Sequence, residues 1–181
     1  MPGDRNAYGI ISELWDALGL RVPAIVFLDP DDLPPAYHSL LVHRRGMTET
    51  LERHWRDTVC VELLSDDISL KHRSLFRFVA LHTGSCGKPV EIALIRIPLE
   101  TFPPPLRRLF IEARRPFGAL LAEAGIRFEA RPQAYFTFVA DGTLAKTSGL
   151  GEGTRLYGRI NQLWCDDGSL LCETVEALPQ A

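Results

Sequence analysis

The sequence lacks the features that would indicate a metal centre, a membrane-spanning segment or a protein that coats nucleic acid. None of its four cysteines belongs to a Cys-x-x-Cys pair, and its five histidines show no metal-ligand spacing. The formal net charge of -3 disfavours a protein that coats nucleic acid. The longest apolar run near the N-terminus, PAIVFL, is far too short to span a bilayer. We therefore expect no metal, no membrane and no nucleic acid among the partners.

Common catalytic and targeting motifs are also missing. The chain shows no Ser-His-Asp order, no phosphate-binding loop and no dinucleotide fingerprint, since the GLGEG stretch at residues 149–153 does not follow a strand and open a helix. The N-terminus has no basic segment followed by a long apolar one, so we expect no signal peptide. Cysteines with no pairing pattern are typical of free thiols in a reducing compartment. Together these absences predict a cytoplasmic protein.

What the sequence does contain is an ordinary globular composition. Hydrophobic residues make up 46% of the 181 residues and charged residues 24%, which suits one domain with a sizeable core. We expect a single domain over residues 1–181, with a helical extension over about residues 1–39, and a monomer.

The hydrophobic periodicity changes along the chain. Helical patterns come first, and Thr48 is a candidate N-cap of the third helix. Strand patterns follow, interrupted by a helical stretch with a boundary at Pro116 and by a strand that Pro132 breaks. A long glycine-rich loop comes next, with room for one helical turn, and the chain ends in a hairpin with an Asp-Gly turn. This order predicts an α+β fold with a single six-stranded antiparallel sheet and helices on one side.

Two charged residues lie within apolar stripes of the strand patterns. Arg77 shares a face with Leu75 and Val79, and Glu173 shares a face with Leu171 and Val175. An unpaired charge in such a position costs several kcal/mol, even after the protein relaxes, on the order given by buried ion pairs. Either the two charges pair as a structural salt bridge, or they line one pocket and bind a polar ligand between them. The periodicity leaves both alternatives open.

Several segments, taken in order, resemble the bacterial chorismate lyase family. They are GMT at a helix start, LFRFVAL and GKPV on a hairpin, RPFGALLAEAGI on a helix, and LYGRINQLWCDDGSLLCETVEALP at the end. The resemblance covers about Leu40 to Pro179. It implies a six-stranded antiparallel sheet with helices packed on it and an enclosed pocket under helical flaps, a fold related to UTRA effector-binding domains.

The resemblance also implies a set of site residues. The family's pocket arginine falls on Arg77 and its pocket glutamate on Glu173, which would be the catalytic pair. Backbone N–H groups that hold the ring carboxylate fall on Met47 and Phe117, where the family usually has leucine at the second position. No metal or cofactor is implied.

The activity implied by the resemblance is cleavage of chorismate to 4-hydroxybenzoate and pyruvate, as used in ubiquinone biosynthesis or secondary metabolism. Aromatisation drives this elimination, so the protein needs mainly to orient the substrate and stabilise charge. Two alternatives stay open: a non-catalytic domain that binds an aromatic acid, as in UTRA-like sensors, and a lyase acting on a modified chorismate. About 40 residues precede the resemblance, which we expect to be too few for a winged helix.

Overall fold

A seven-stranded antiparallel sheet forms the centre of the protein. This computed structural model describes residues 2–69, 73–85 and 87–181. The strand order is β1-β5-β6-β7-β4-β3-β2, and the strands are β1 (Val26–Leu28), β2 (Val59–Ser69), β3 (Ser74–Thr83), β4 (Pro89–Pro98), β5 (Phe128–Val139), β6 (Arg155–Cys165) and β7 (Leu170–Leu178). The strand-rich part of the sequence therefore folds into one sheet, as predicted.

Six α-helices surround the sheet in the described part of the chain. They are α1 (Pro2–Ala17), α2 (Pro35–Leu41), α3 (Met47–Trp55), α4 (Pro104–Glu112), α5 (Phe117–Glu123) and α6 (Gly142–Ser148). The helical boundary predicted at Pro116 is confirmed, because this residue is the N-cap of α5. The prediction for Thr48 is wrong: Gly46 is the N-cap of α3 and Thr48 lies inside the helix.

The sheet has seven strands and not the predicted six. The additional strand is β1, which has only three residues and pairs with the middle of β5 through Phe27 and Phe136. A three-residue segment is too short to show a period of two, so the sequence pattern did not reveal it.

Helices cover both faces of the sheet, whereas the sequence predicted helices on one side. On one face, α1 packs its Ile11 and Trp15 against Phe76 and Phe78 of β3. On the other face, α4 and α5 pack against Leu75 and neighbouring strand residues. Central strands buried on both faces read as near-continuous apolar runs, and almost every residue of β3 and β7 is indeed buried.

Two local details refine the sequence pattern. Pro132 does not break β5 but sits at a bulge between residues 132 and 134, where proline is tolerated. The glycine-rich loop contains α6, whose N-cap Asp141 accepts a hydrogen bond from the Leu144 N–H at 2.8 Å. The thiols of Cys60, Cys165 and Cys172 are free, while Cys86 lies outside the described residues.

Candidate functional site

A pocket lies between the sheet and the helices α3 and α5. Its empty space, including the open solvent at its mouth, amounts to about 670 Å³. The floor is formed by side chains of β3, β4, β6 and β7, and the rim by the first residues of α3 and α5. Apolar side chains dominate the lining: Met47, Val61, Val79, Leu81, Ala93, Ile95, Ile97, Phe117, Phe128 and Leu163.

Arg77 is a buried cation on the floor of this pocket. Its side chain rises from β3, and the residue is only 6% exposed. Its Nε and Nη2 atoms have no hydrogen-bond partner within the described residues. Burial lowers the pKa of the guanidinium, and the charge of Asp66, its cross-strand neighbour on β2, acts in the opposite direction. A planar fork of buried donors with no protein acceptor is suited to a carboxylate.

Further polar atoms without partners lie in the same row of the sheet as Arg77. Strand register places Arg77 opposite Ile95, Ile95 opposite Thr174, and Thr174 opposite Asn161. The Thr174 hydroxyl and both polar atoms of the Asn161 amide are buried with no partner among the residues described. Buried polar groups in native proteins are normally hydrogen-bonded to protein or ordered water. Of this row, Arg77 and Thr174 line the pocket and offer polar atoms to a ligand there, whereas Asn161 is not part of the lining.

The two backbone positions implied by the resemblance also line the pocket. Met47 is the first residue of α3 and Phe117 the first residue of α5. The N–H groups of a first helical turn have no acceptor within their own helix. The two helices lie against each other here, because a Cβ atom added to Gly118 would stand 3.0 Å from the Thr48 hydroxyl. The structure thus brings Met47, Phe117 and Arg77 to one pocket.

Two carboxyl groups that the sequence did not single out line the pocket away from Arg77. Glu176 is 5% exposed and Glu91 is 2% exposed. Arg159 donates a hydrogen bond from Nε to Glu176 Oε2 at 2.5 Å, and the Arg159 side chain is completely buried. Burial and the charge of Glu176 raise the pKa of Glu91 well above its usual value, against a smaller opposite effect of Arg159.

Arg159 also fixes the connection between α2 and α3. Its Nη1 donates to the Leu41 and His43 carbonyls at 3.0 and 3.1 Å, and its Nη2 donates to the Arg45 carbonyl at 3.3 Å. One guanidinium therefore links the pocket carboxylate Glu176 to the segment that leads into Met47.

His43 is neutral in this network. Its Nε2–H donates to the Leu40 carbonyl at 2.8 Å, which leaves Nδ1 to accept from Arg159 at 3.3 Å. Burial, followed by the charge of Arg159, lowers the pKa of His43 to about 4. The imidazole consequently acts as an acceptor for Arg159 at neutral pH.

Glu173 lies outside the pocket lining, which corrects the expectation that it faces Arg77 there. It occupies the other face of β7, where Arg96 Nε donates to its Oε2 at 2.8 Å and Gln162 Nε2 donates to its Oε1 at 2.8 Å. Both proposed relations to Arg77, a direct salt bridge and a shared pocket, are therefore absent from this geometry. Val175, from the apolar stripe of Glu173, packs in the core on the α1 side, whereas Leu171 packs in the core that contains α4 and α5. The alternate residues Thr174 and Glu176 face the pocket.

We expect Glu173→Gln to change stability and leave the pocket intact. The amide keeps the size of the side chain but loses the charge that Arg96 contacts, which should reduce the free energy of unfolding by about 1–3 kcal/mol. Affinity for a pocket ligand should stay within about twofold of wild type, because the contacts of Glu173 lie across the sheet. Urea unfolding and calorimetric titration measure the two effects. A tenfold loss of affinity at unchanged stability would mean that Glu173 takes part in ligand binding after all.

Sequence reasoning missed Glu91, Glu176 and Arg159 for a common reason. Each charge has a small or polar residue as one of its neighbours on the same face, Ala93 for Glu91, Thr174 for Glu176 and Asn161 for Arg159, so no apolar residues flank it on both sides as they flank Arg77. Glu91 stands near the start of the VEIALIRIP strand and Glu176 on the stripe that looked more exposed. The one sequence feature that could have indicated them is that their strands are predominantly apolar on both faces, which predicts that charged residues on either face are buried.

The described residues contain no group of three or more His, Cys, Asp or Glu side chains placed to hold a metal ion. Among the helices described, none is long and apolar enough to cross a membrane.

Comparison with known proteins supports the fold. No protein-family model and no curated protein matches this sequence. The effector domain of PhnF from Mycobacterium smegmatis is similar in structure, with a TM-score of 0.55 at 17% identity over 75% of this chain and 91% of that chain. A second PhnF structure from that organism gives a TM-score of 0.53 at 15% identity, over 95% of this chain and 93% of the other.

Gene product SA0254 from Staphylococcus aureus gives a TM-score of 0.51 at 10% identity, over 77% of this chain and 89% of that chain. At these identities the similarity concerns the fold alone. The chain has a UTRA-like fold, which agrees with the α+β class and the single antiparallel sheet predicted from the sequence.

Proposed function

We propose that this chain is a non-catalytic binding domain for a small aromatic acid, whose carboxylate rests on Arg77. The observation that carries the proposal is the buried guanidinium in the pocket with two nitrogen atoms that have no acceptor in the described part of the protein. A buried, unpaired cation costs stability, so its retention suggests an anionic partner. The similarity to a structure named as an effector domain supports a binding role.

The lining supports a ring-shaped ligand. Beyond Arg77 the pocket offers apolar side chains such as Val79, Ile95 and Leu163, which match the faces of a planar ring. Polar groups are few and lie at defined positions, with Thr174 beside the apolar floor and Glu91 and Glu176 away from Arg77. This arrangement favours an aromatic acid over a highly hydroxylated or multiply charged ligand.

Calorimetric titration with 4-hydroxybenzoate tests the proposal, with 4-hydroxybenzyl alcohol as the matched compound that lacks the carboxylate. The acid should bind and should stabilise the protein by about 2.7 kcal/mol at a concentration of 100 times Kd. The alcohol should bind at least about 30-fold more weakly, because it leaves the Arg77 fork without an anion. Equal binding of the two compounds, or no binding of the acid, would reject the proposal.

Chorismate lyase activity is the second candidate, favoured by one specific observation. Three positions implied by the resemblance, Arg77, Met47 and Phe117, line the same pocket. The elimination transfers the C4 proton of chorismate to a base and breaks the bond between C3 and the ether oxygen. The products are 4-hydroxybenzoate and the enolate of pyruvate, which becomes pyruvate when its methylene carbon takes up a proton. Because Glu173 lies across the sheet, this candidate would have to use a carboxyl group of the pocket lining, Glu176 or Glu91, in its place.

Pyruvate release from chorismate separates the two candidates. A lyase should form pyruvate and 4-hydroxybenzoate in equal amounts, and Arg77→Met should reduce turnover by at least about 100-fold, as for the loss of a preorganised charge-stabilising group. Glu173→Gln serves as the matched control and should retain turnover. If the protein binds 4-hydroxybenzoate but releases no pyruvate from chorismate, the lyase candidate is rejected and the binding function is retained.

A further inference from the structure

Glu91 is a buried carboxyl group that has no cation of its own. It is 2% exposed and lines the pocket from β4. No arginine, lysine or histidine of the described residues lies within ion-pair distance of it, whereas Glu176 is paired with Arg159. A negative charge on Glu91 would therefore have no cation of its own beside the Glu176 carboxyl group.

The nearby cation is already engaged. Arg159 uses Nε for Glu176 and its two terminal nitrogen atoms for carbonyls of the α2–α3 connection and for His43. The charged groups that act on Glu91 are Glu176 from β7, which favours the protonated form, and Arg159 from β6, which opposes it. Burial adds to the effect of Glu176, and both favour the protonated form of Glu91.

Strand register places Glu91 at the opposite end of the pocket from Arg77. Glu91 pairs with Leu81 of β3. Leu81 lies four residues beyond Arg77, a distance of about 14 Å along a strand. A ligand with its carboxylate on Arg77 therefore presents its far end toward Glu91.

We propose that Glu91 is a specificity-determining residue whose protonated carboxyl donates a hydrogen bond to a neutral oxygen on the far end of the ligand. The proposal rests on the binding function above and specifies its ligand: a ring monocarboxylic acid with an ether, hydroxyl or carbonyl oxygen across the ring. A protonated carboxyl group is a donor, which an ionised one is not. A second carboxylate at this end is disfavoured, because it would stand next to Glu176, whose cation Arg159 is already engaged.

Two acids of equal shape test the proposal by calorimetric titration. 4-Methoxybenzoate carries an ether oxygen, which accepts but cannot donate, and 4-ethylbenzoate has a methylene group in its place. Wild type should bind the methoxy compound about 3- to 10-fold more tightly, the contribution of one net hydrogen bond. Glu91→Gln, whose amide donates, should keep this preference, and Glu91→Leu should lose it.

Several outcomes would overturn the inference. They are equal affinity of wild type for the two acids, a preference for the ethyl compound, an unchanged preference in Glu91→Leu, or binding of 4-hydroxybenzoate but neither of these acids. Binding of terephthalate, a dicarboxylate, as tightly as 4-methoxybenzoate would overturn it too. If wild type binds none of these acids, the proposed function itself fails.

The protonation state has a readout that needs no ligand. The folded-state pKa of Glu91 is raised, while the unfolded chain ionises this group near its usual value of 4.5. Wild type should therefore lose stability relative to Glu91→Gln as the pH rises from 5 to 8, whereas His43, neutral in this range, affects both proteins equally. A stability difference between the two proteins that stays constant over this range would mean that Glu91 is ionised, and would contradict the inference.

Discussion

Arg77→Met should abolish binding of 4-hydroxybenzoate and, at the same time, make the empty protein more stable. Methionine matches the apolar neighbours Val79 and Ile95 and removes a buried charge that has two donor atoms without partners in the described part of the chain. Replacing an uncompensated buried charge by an apolar side chain should raise the free energy of unfolding by about 1–3 kcal/mol. Losing the cation for the ligand carboxylate should weaken binding by at least about 100-fold. Urea unfolding and calorimetric titration give the two values.

Two variants control for this experiment. Arg108→Met removes an exposed arginine of α4 outside the pocket lining and should change neither quantity. Arg77→Lys keeps the charge but not the planar fork, and should bind with intermediate affinity. A methionine variant that is strongly destabilised and still binds the acid would make Arg77 a structural residue.

Arg159→Met should have the opposite effect on stability, with a loss of about 3–5 kcal/mol, as expected when one partner of a buried ion pair is removed. The change leaves Glu176 as an unpaired buried carboxylate and removes the donors to the carbonyls of Leu41, His43 and Arg45. Thermal and urea unfolding measure the loss.

Arg155→Met is the matched control, since Arg155 is exposed on the same strand and should tolerate the change within about 0.5 kcal/mol. The double variant Arg159→Met with Glu176→Leu should recover part of the lost stability, because it no longer buries an unpaired charge. A single Arg159→Met variant as stable as wild type would mean that water replaces all these contacts.

The sequence contained enough information to find Arg77 but not the carboxyl groups that share its pocket. A cation flanked by Leu75 and Val79 is anomalous in any strand, and the structure places it in a pocket with Met47 and Phe117. The same argument selected Glu173, which is equally buried but faces α1 and pairs with Arg96. Periodicity identifies a buried charge; it does not distinguish the two faces of a strand that is covered on both.

The fold class followed from the order of helical and strand patterns, and the details that differed have local causes. The three-residue β1 is defined by its pairing with β5 and not by its own pattern. Helices cover both faces of the sheet because α1 packs on the second face. This packing is a long-range contact of α1 with Phe76 and Phe78. The Glu91–Glu176–Arg159 cluster likewise joins three strands that are distant in sequence, so no local pattern reveals it.

The crystal structure of the protein with bound 4-hydroxybenzoate tests the central claim most directly. Our account predicts the carboxylate of the acid within hydrogen-bond distance of Arg77 Nε and Nη2, the ring over Ile95, and the hydroxyl directed toward Glu91 and Glu176. An acid bound elsewhere on the protein, with Arg77 turned instead toward Asp66, would contradict it.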